Sequence, residues 1–257
     1  MSAGRKRRGL WIALAVIIAL AAALWIGLSV YASGYSHCEE TAKVCMAQSN
    51  GDADGVVTFG EDTAKIGIIL YPGGLVDEDA YAPLASLLMQ SGLFVAIPSM
   101  PYHLAVFDVN CAAEIIAKHP NVERWVVGGH SLGGAMAASF AAGHSDDVCG
   151  VILLAAYSTE PLNLPVLSVY GDLDTVLDAN KYASYRKNLP KQTTELVISG
   201  GNHAQFGDYG EQQGDTPAAI SNEEQWRLTA DAITTWLTGL PEKQTGCGSF
   251  KTRMSSH

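Results

Sequence analysis

Apolar and polar positions along this chain fall into three regimes. Residues 10 to 31, from Leu10-Trp11-Ile12 to Val30-Tyr31, are almost wholly apolar and carry no charge. As a helix rising about 1.5 Å per residue they would extend about 33 Å, enough to cross a bilayer. From about residue 55 the pattern changes to short β-prone apolar runs separated by helical stretches: Lys65 to Leu70, Phe94 to Pro98, Trp125 to Gly128, Val151 to Tyr157, Pro165 to Tyr170 and Glu195 to Ile198. Helical patterns fall between them at Val109 to Lys118, Ala135 to Ala142 and Ala179 to Lys187. Continuous apolar strands alternating with helices predict an α/β fold with a mainly parallel sheet buried on both faces. A last helix is predicted to open at Ser221, with Glu224 in capping-box position, and to run through Trp226, Leu228, Ile233 and Trp236 to Gly239 and Pro241. Beyond it the chain is polar.

These regimes divide the chain into a basic segment (1–9), an apolar span (10–31), a stalk or linker (32–54), an α/β domain (55–240) and a polar tail (241–257). Arg5, Lys6, Arg7 and Arg8 precede the span, and no Lys or Arg follows until Lys43. The asymmetry predicts a cytoplasmic N-terminus and an exported domain. A cleaved signal peptide is the rival reading, with Val30-Tyr31-Ala32 as its cleavage site. Its apolar core is expected to be only about 7–15 residues, so an uncleaved anchor is favoured. Beyond the span there are 12 Lys+Arg against 26 Asp+Glu, a net charge of −14. That surface disfavours nucleic acid and anionic lipid as partners.

The chemistry is concentrated in Trp125-Val126-Val127-Gly128-Gly129-His130-Ser131-Leu132-Gly133-Gly134. A β-prone run stops at Gly-x-Ser-x-Gly and becomes an alanine-rich helical run, the strand-turn-helix context of a nucleophile elbow. A serine hydroxyl needs an imidazole to take its proton and a carboxylate to orient that imidazole. Two later strands supply candidates: Pro165 to Tyr170 runs into Gly171-Asp172-Leu173-Asp174, and Glu195 to Ile198 runs into Ser199-Gly200-Gly201-Asn202-His203. Asp174, further up its loop than Asp172, is preferred as the acid, with Asp172 capping the turn. Asp178 fits an N-cap for the helix that follows. The nucleophile is thus expected at Ser131, the base at His203 and the acid at Asp174. Backbone N–H groups of Leu132 and of Gly74, in the loop Tyr71-Pro72-Gly73-Gly74-Leu75, are expected to stabilise an oxyanion, with Leu75 as the fallback donor.

From Tyr71-Pro72-Gly73-Gly74 through His203-Ala204-Gln205-Phe206, the chain resembles an α/β-hydrolase, close to the compact lidless group of dienelactone hydrolase-like proteins. The resemblance covers roughly residues 55 to 240. It implies cleavage of carboxylic esters through Ser131, Asp174 and His203 without a cofactor. The serine stands where dienelactone hydrolases proper carry cysteine, so their lactone substrate does not transfer. Tyr71-Pro72 replaces the more usual His-Gly pair of the oxyanion loop. Only Ser158 to Leu164 separate two strands between which many lipases insert a lid, which predicts an open site for a small or partly soluble acyl ester. An acyltransferase using the same triad and a non-catalytic binding module are the alternatives.

Cys38, Cys45, Cys111, Cys149 and Cys247 all lie beyond the span, where disulfides are permitted. Cys38 with Cys45, and Cys111 with Cys149, are the pairs first suggested. No cysteine or histidine spacing fits a zinc site. Asn50-Gly51-Asp52-Ala53-Asp54-Gly55 with Glu61 mimics the ligand spacing of a calcium loop. The β-prone Val56-Val57-Thr58-Phe59 that follows makes a polar turn before the first strand the preferred reading.

Overall fold

The computed structural model describes residues 3–241. The chain separates into two compact units, residues 1–35 and 36–257. In the first, one helix, α1 (Ala3–Ala32), contains a 23-residue stretch, Leu10–Ala32, with mean hydropathy 2.6. Its side chains, such as Leu24 and Trp25, are exposed rather than packed in a core. By length and composition it can span a membrane, and a signal sequence has the same character.

The second unit is built on an eight-stranded sheet in the order β1-β2-β4-β3-β5-β6-β7-β8. The strands are β1 (Asp52–Ala53), β2 (Val56–Phe59), β3 (Ile66–Tyr71), β4 (Phe94–Pro98), β5 (Arg124–His130), β6 (Val151–Leu154), β7 (Val166–Gly171) and β8 (Thr194–Ile198). The β1/β2 and β2/β4 pairs are antiparallel; every pairing from β4 to β8 is parallel. The helices are α2 (Glu40–Met46), α3 (Ala82–Gln90), α4 (Cys111–Lys118), α5 (Leu132–Gly143), α6 (Ala179–Tyr185) and α7 (Asn222–Thr238).

Period-two alternation explains why the apolar strands have no polar face. Ile68, Leu70, Val126, Ile152 and Leu154 join one core with Leu84 and Leu88 of α3 and Ile233 and Leu237 of α7. Their neighbours Ile69, Tyr71, Val127, Val151 and Leu153 join the other, with Ile115 of α4 and Ala137, Ala138 and Phe140 of α5. The central strands β3, β5 and β6 are thus buried on both sides, as a parallel sheet requires. Ser221 caps α7, its hydroxyl accepting the Glu224 N–H at 3.3 Å, and Asp178 caps α6 through the N–H groups of Asn180 and Lys181.

Two local expectations change, and the polar turn expected near Asn50 to Gly55 is kept. The segment expected as a stalk (32–54) joins the second unit from Ser36 onward. Ser36 pairs with the loop after β3, its N–H donating to Leu75 O at 2.8 Å and its carbonyl accepting the Asp77 N–H at 2.9 Å. Asp208 holds the next turn, its carbonyl accepting the Glu39 N–H and its carboxylate the Ala42 N–H at 2.7 Å. Ala42 is fully buried, and Cys38, Cys45 and Met46 pack on the core beside α3. Burial of these apolar positions is what makes a short, weakly patterned segment helical. The calcium-like stretch forms the β1/β2 hairpin, with Asp54 (φ 55°) and Gly55 (φ 75°) as its two-residue turn and the Asp54 carboxylate on Lys118 Nζ at 2.9 Å. Finally, Cys38, Cys45 and Cys111 are free thiols, so neither suggested disulfide forms. Cys247 lies outside the described residues.

Candidate active site

Strand order reverses around β3: the chain passes from β3 to β4 on one side and then to β5 on the other. The loops leaving the carboxyl ends of β3 and β5 diverge at this point, where open α/β sheets form their binding crevice. Ser131 sits there, between β5 and α5, with φ 51° and ψ −119°. A non-glycine residue at positive φ costs on the order of 1–3 kcal/mol and persists only where its surroundings enforce it. Here the Ser131 N–H donates to Leu154 O of β6 at 2.9 Å, and the flanking glycines allow backbone to close on backbone. A Cβ on Gly129 would stand 2.5 Å from Tyr71 O; one on Gly133 would collide with the carbonyls of Pro72 and Tyr71; one on Gly134 would stand 2.6 Å from Gly129 O.

On the other side of the crevice, His203 Nδ1 lies 2.9 Å from Asp174 Oδ2, with both side chains almost completely buried. The other carboxylate oxygen, Oδ1, accepts the N–H groups of Val176 and Leu177 at 2.9 and 2.8 Å. Three donors thus fix the carboxylate, and the carboxylate fixes the ring with Nδ1 as donor and Nε2 as the basic nitrogen. His203 Nε2 is buried and has no partner among the described residues. Asp172, two residues earlier, faces the other way: it accepts the Ser199 hydroxyl and the Gly200 N–H, joining the loops after β7 and β8.

The loop after β3 presents fewer donors than its sequence suggests. The Gly73 N–H donates to Tyr81 Oη at 2.8 Å, and the Leu75 N–H donates to His103 O at 2.8 Å, which removes Leu75 as the fallback. The N–H groups of Gly74 and Leu132 have no partner among the described residues, and Gly74 lies beside the Leu132 side chain.

Several contributors were not legible beforehand. His130, the variable residue of the elbow, is buried with Nδ1 2.9 Å from Tyr81 Oη and its ring centroid 4.6 Å from that of His203. Burial, and then the neighbouring His203, push its pKa well below the usual histidine range, so it is neutral. Burial raises the Tyr81 phenol, which keeps its proton. Since Tyr81 Oη already accepts from Gly73, its proton goes to His130 Nδ1, leaving the imidazole proton on Nε2. Asp215 joins the loops that carry Asp174 and His203: Oδ1 accepts the Thr175 N–H at 3.3 Å and Oδ2 the Ala204 N–H at 2.9 Å. Gln225 of α7, fully buried, exchanges two hydrogen bonds with the backbone of Asn202. Nothing local in the sequence distinguishes Asp215, Tyr81 or Gln225.

One further set of donors converges among the described residues: Cys38 Sγ with carboxylate oxygens of Asp77 and Asp79, all within 4.8 Å of one another. Burial and the two carboxylates push the Cys38 thiol up to about 11, away from the thiolate that ligates metals. Asp77 already accepts the Asp79 N–H as the cap of a short helical turn.

A nucleophile-elbow turn on a parallel sheet, with a buried His–Asp pair on later loops, defines the class of the α/β-hydrolases. The chain belongs to that family: the alpha/beta hydrolase family model matches residues 67–227. Solved structures share the fold. A predicted CIB-like hydrolase from Thermoplasma acidophilum is 21% identical, with TM-score 0.53 over 72% of this chain and 95% of that one. A bacterial membrane phospholipase A is 15% identical, with TM-score 0.57 over 90% of this chain and 98% of that one. Est1E from Butyrivibrio proteoclasticus, with ferulic acid bound, is 14% identical, with TM-score 0.51 over 73% of this chain and 96% of that one. No curated protein matches the chain in sequence.

Proposed function

We propose that the protein is a membrane-anchored serine hydrolase that cleaves carboxylic esters at an extracytoplasmic site, with Ser131 as nucleophile, His203 as general base and Asp174 as the group that orients it. The observation that carries this reading is the buried Asp174–His203 pair at 2.9 Å, with its free Nε2, at the sheet edge where Ser131 stands in an enforced positive-φ turn. Ser131 Oγ attacks the ester carbonyl carbon while its proton passes to His203 Nε2. The resulting oxyanion is met by the N–H groups of Leu132 and Gly74. Collapse expels the alcohol, which takes the proton from His203, and leaves an acyl-enzyme. Water, deprotonated by the same nitrogen, then releases the carboxylic acid and restores Ser131.

The anchor reading rests on the uncharged 10–31 span behind four basic residues. The likeness to a membrane phospholipase A over 90% of this chain supports an ester substrate. The test is incubation of the detergent-solubilised full-length protein with a fluorophosphonate probe, followed by mass spectrometry. A single adduct on Ser131, abolished by His203→Ala, is the expected result. A folded protein that takes no label would refute the hydrolase reading and leave a binding module on this fold.

A further inference from the structure

The loop between β4 and α4 combines three properties that ester chemistry does not require. Because β4 runs parallel to β3, this loop leaves the same sheet edge as the loop carrying Gly74 and lies next to it. The two are joined: His103 O accepts the Leu75 N–H at 2.8 Å, and Leu104 lies beside Gly74.

The loop also exposes apolar surface. Val106 and Phe107 are 46% and 51% exposed. Among the described residues of the second unit the other large exposed apolar side chains are Val44 and Val197, each isolated in sequence, so this is the one adjacent pair.

The pair is held rigidly in that position. Tyr102 and His103 adopt positive φ (56° and 53°), and Ala105 is buried as an anchor. The Phe107 N–H donates to Leu104 O at 3.1 Å, and the Tyr102 ring packs edge-on against Phe107 at 5.6 Å. At the far end Tyr71 Oη donates to Val109 O at 2.8 Å. A loop that spends backbone strain to hold two apolar side chains in water presents them to something.

The chain itself indicates what that is. Only Ser33, Gly34 and Tyr35 separate α1 from Ser36, whose backbone pairs with Leu75 and Asp77. If α1 spans the bilayer, the segment leaving the membrane is fastened directly to the loop that carries Gly74. The net charge of −14 beyond the span means that attraction to anionic headgroups does not provide attachment. What the surface offers a bilayer instead is the exposed apolar pair Val106 and Phe107.

We propose that Val106 and Phe107 insert into the bilayer surface beside the active site, and that the ester cleaved is therefore that of a membrane lipid, whose acyl chain enters from the bilayer past this loop. The inference rests on the serine-hydrolase reading and on α1 as an anchor; it adds the substrate class and the surface that meets it.

The test uses the full-length protein reconstituted in phosphatidylcholine vesicles. It compares turnover of soluble p-nitrophenyl butyrate with release of fatty acid from the vesicle lipid, for the wild type and for the double variant Val106→Ser, Phe107→Ser. Expected are hydrolysis of both esters by the wild type and a fall of about tenfold in the lipid-to-butyrate ratio in the variant, the size that loss of partial burial of two apolar side chains supports. Phe107→Leu alone should restore most of the ratio. Butyrate turnover without lipid hydrolysis in the wild type, an unchanged ratio in the variant, or a variant whose altered property is its oligomeric mass would overturn the inference while leaving the hydrolase reading in place. Absence of butyrate turnover together with absence of a fluorophosphonate adduct would instead remove the reading on which it rests.

Discussion

The two sides of the crevice are held in place by different physics. Around Ser131 the position comes from backbone packed on backbone: Gly129, Gly133 and Gly134 leave no room for a Cβ against the carbonyls of Tyr71, Pro72 and Gly129. Around His203 the position comes from carboxylates that accept N–H groups: Asp172 holds Gly200, Asp174 holds Val176 and Leu177, and Asp215 holds Thr175 and Ala204. The first side is insensitive to charge and intolerant of volume. The second tolerates small changes of shape and is sensitive to the loss of a negative charge. A steric arrangement fails by failing to fold, whereas a hydrogen-bonded one fails by losing rate.

Substitutions that separate the two sides are ordered by expected effect. Gly133→Ala places a methyl group against the Pro72 and Tyr71 carbonyls, and the only relief is movement of the elbow. Loss of folded protein, or a fall in stability of more than about 4 kcal/mol read from the thermal midpoint, is expected. Asp174→Asn keeps the volume and should leave the circular dichroism spectrum and midpoint nearly unchanged. It removes the acceptor that sets the His203 tautomer, so kcat on a soluble ester should fall on the order of 10³–10⁴-fold. A kcat within tenfold of wild type would show that the pair is structural. Asp215→Asn weakens one of the ties between the loops that carry Asp174 and His203, and a fall in kcat of about tenfold with little change in KM is expected, partly restored by Asp215→Glu.

The smallest effect is a pH dependence of stability. His130 is held below its unfolded pKa of about 6.5, so the unfolded chain binds the extra proton first on acidification. Its contribution to stability is complete above that value and is lost as pH falls below it. Asp79 acts in the opposite direction: burial first, then Asp77, raises its carboxyl to about 6, so its contribution is lost as pH rises from about 4 through 6. Comparing thermal midpoints at pH 7.5 and 5.5 for wild type, His130→Gln and Asp79→Asn separates the two. His130→Gln should reduce the acid loss, and Asp79→Asn should raise the midpoint at pH 7.5. A His130→Gln variant with the wild-type acid loss would show that this histidine is not held neutral.

The same contrast explains what could be read from the amino-acid sequence. The elbow is a local object, so a pentapeptide between an apolar run and an alanine-rich run locates Ser131 to the residue. Strands buried on both faces announce themselves as unbroken apolar runs, and Ser221 with Glu224 marks the start of α7. Asp174 and His203 were legible as loop residues after strands, because the fold places such loops at one edge. Asp215, Gln225 and Tyr81 act between segments tens of residues apart in the chain, and no local pattern encodes that. The short helices α2 and α3 were passed over for a related reason. Glu40–Met46 has little helical signal of its own and becomes a helix through the burial of Ala42 and the bonds from Asp208. Val106 and Phe107 carry no motif at all, and only their exposure sets them apart.

The Ser36 pairing also bears on how such a protein could be shed from a cell. Any protease that releases the second unit intact has only Ser33, Gly34 and Tyr35 as its window. A cut a few residues further on strips the backbone pairing from Leu75 and Asp77, and one beyond Ala42 also leaves the Asp208 carboxylate buried without the N–H that it accepts. A soluble form trimmed past Ser36 would therefore begin its life with the support of its Gly74 loop removed.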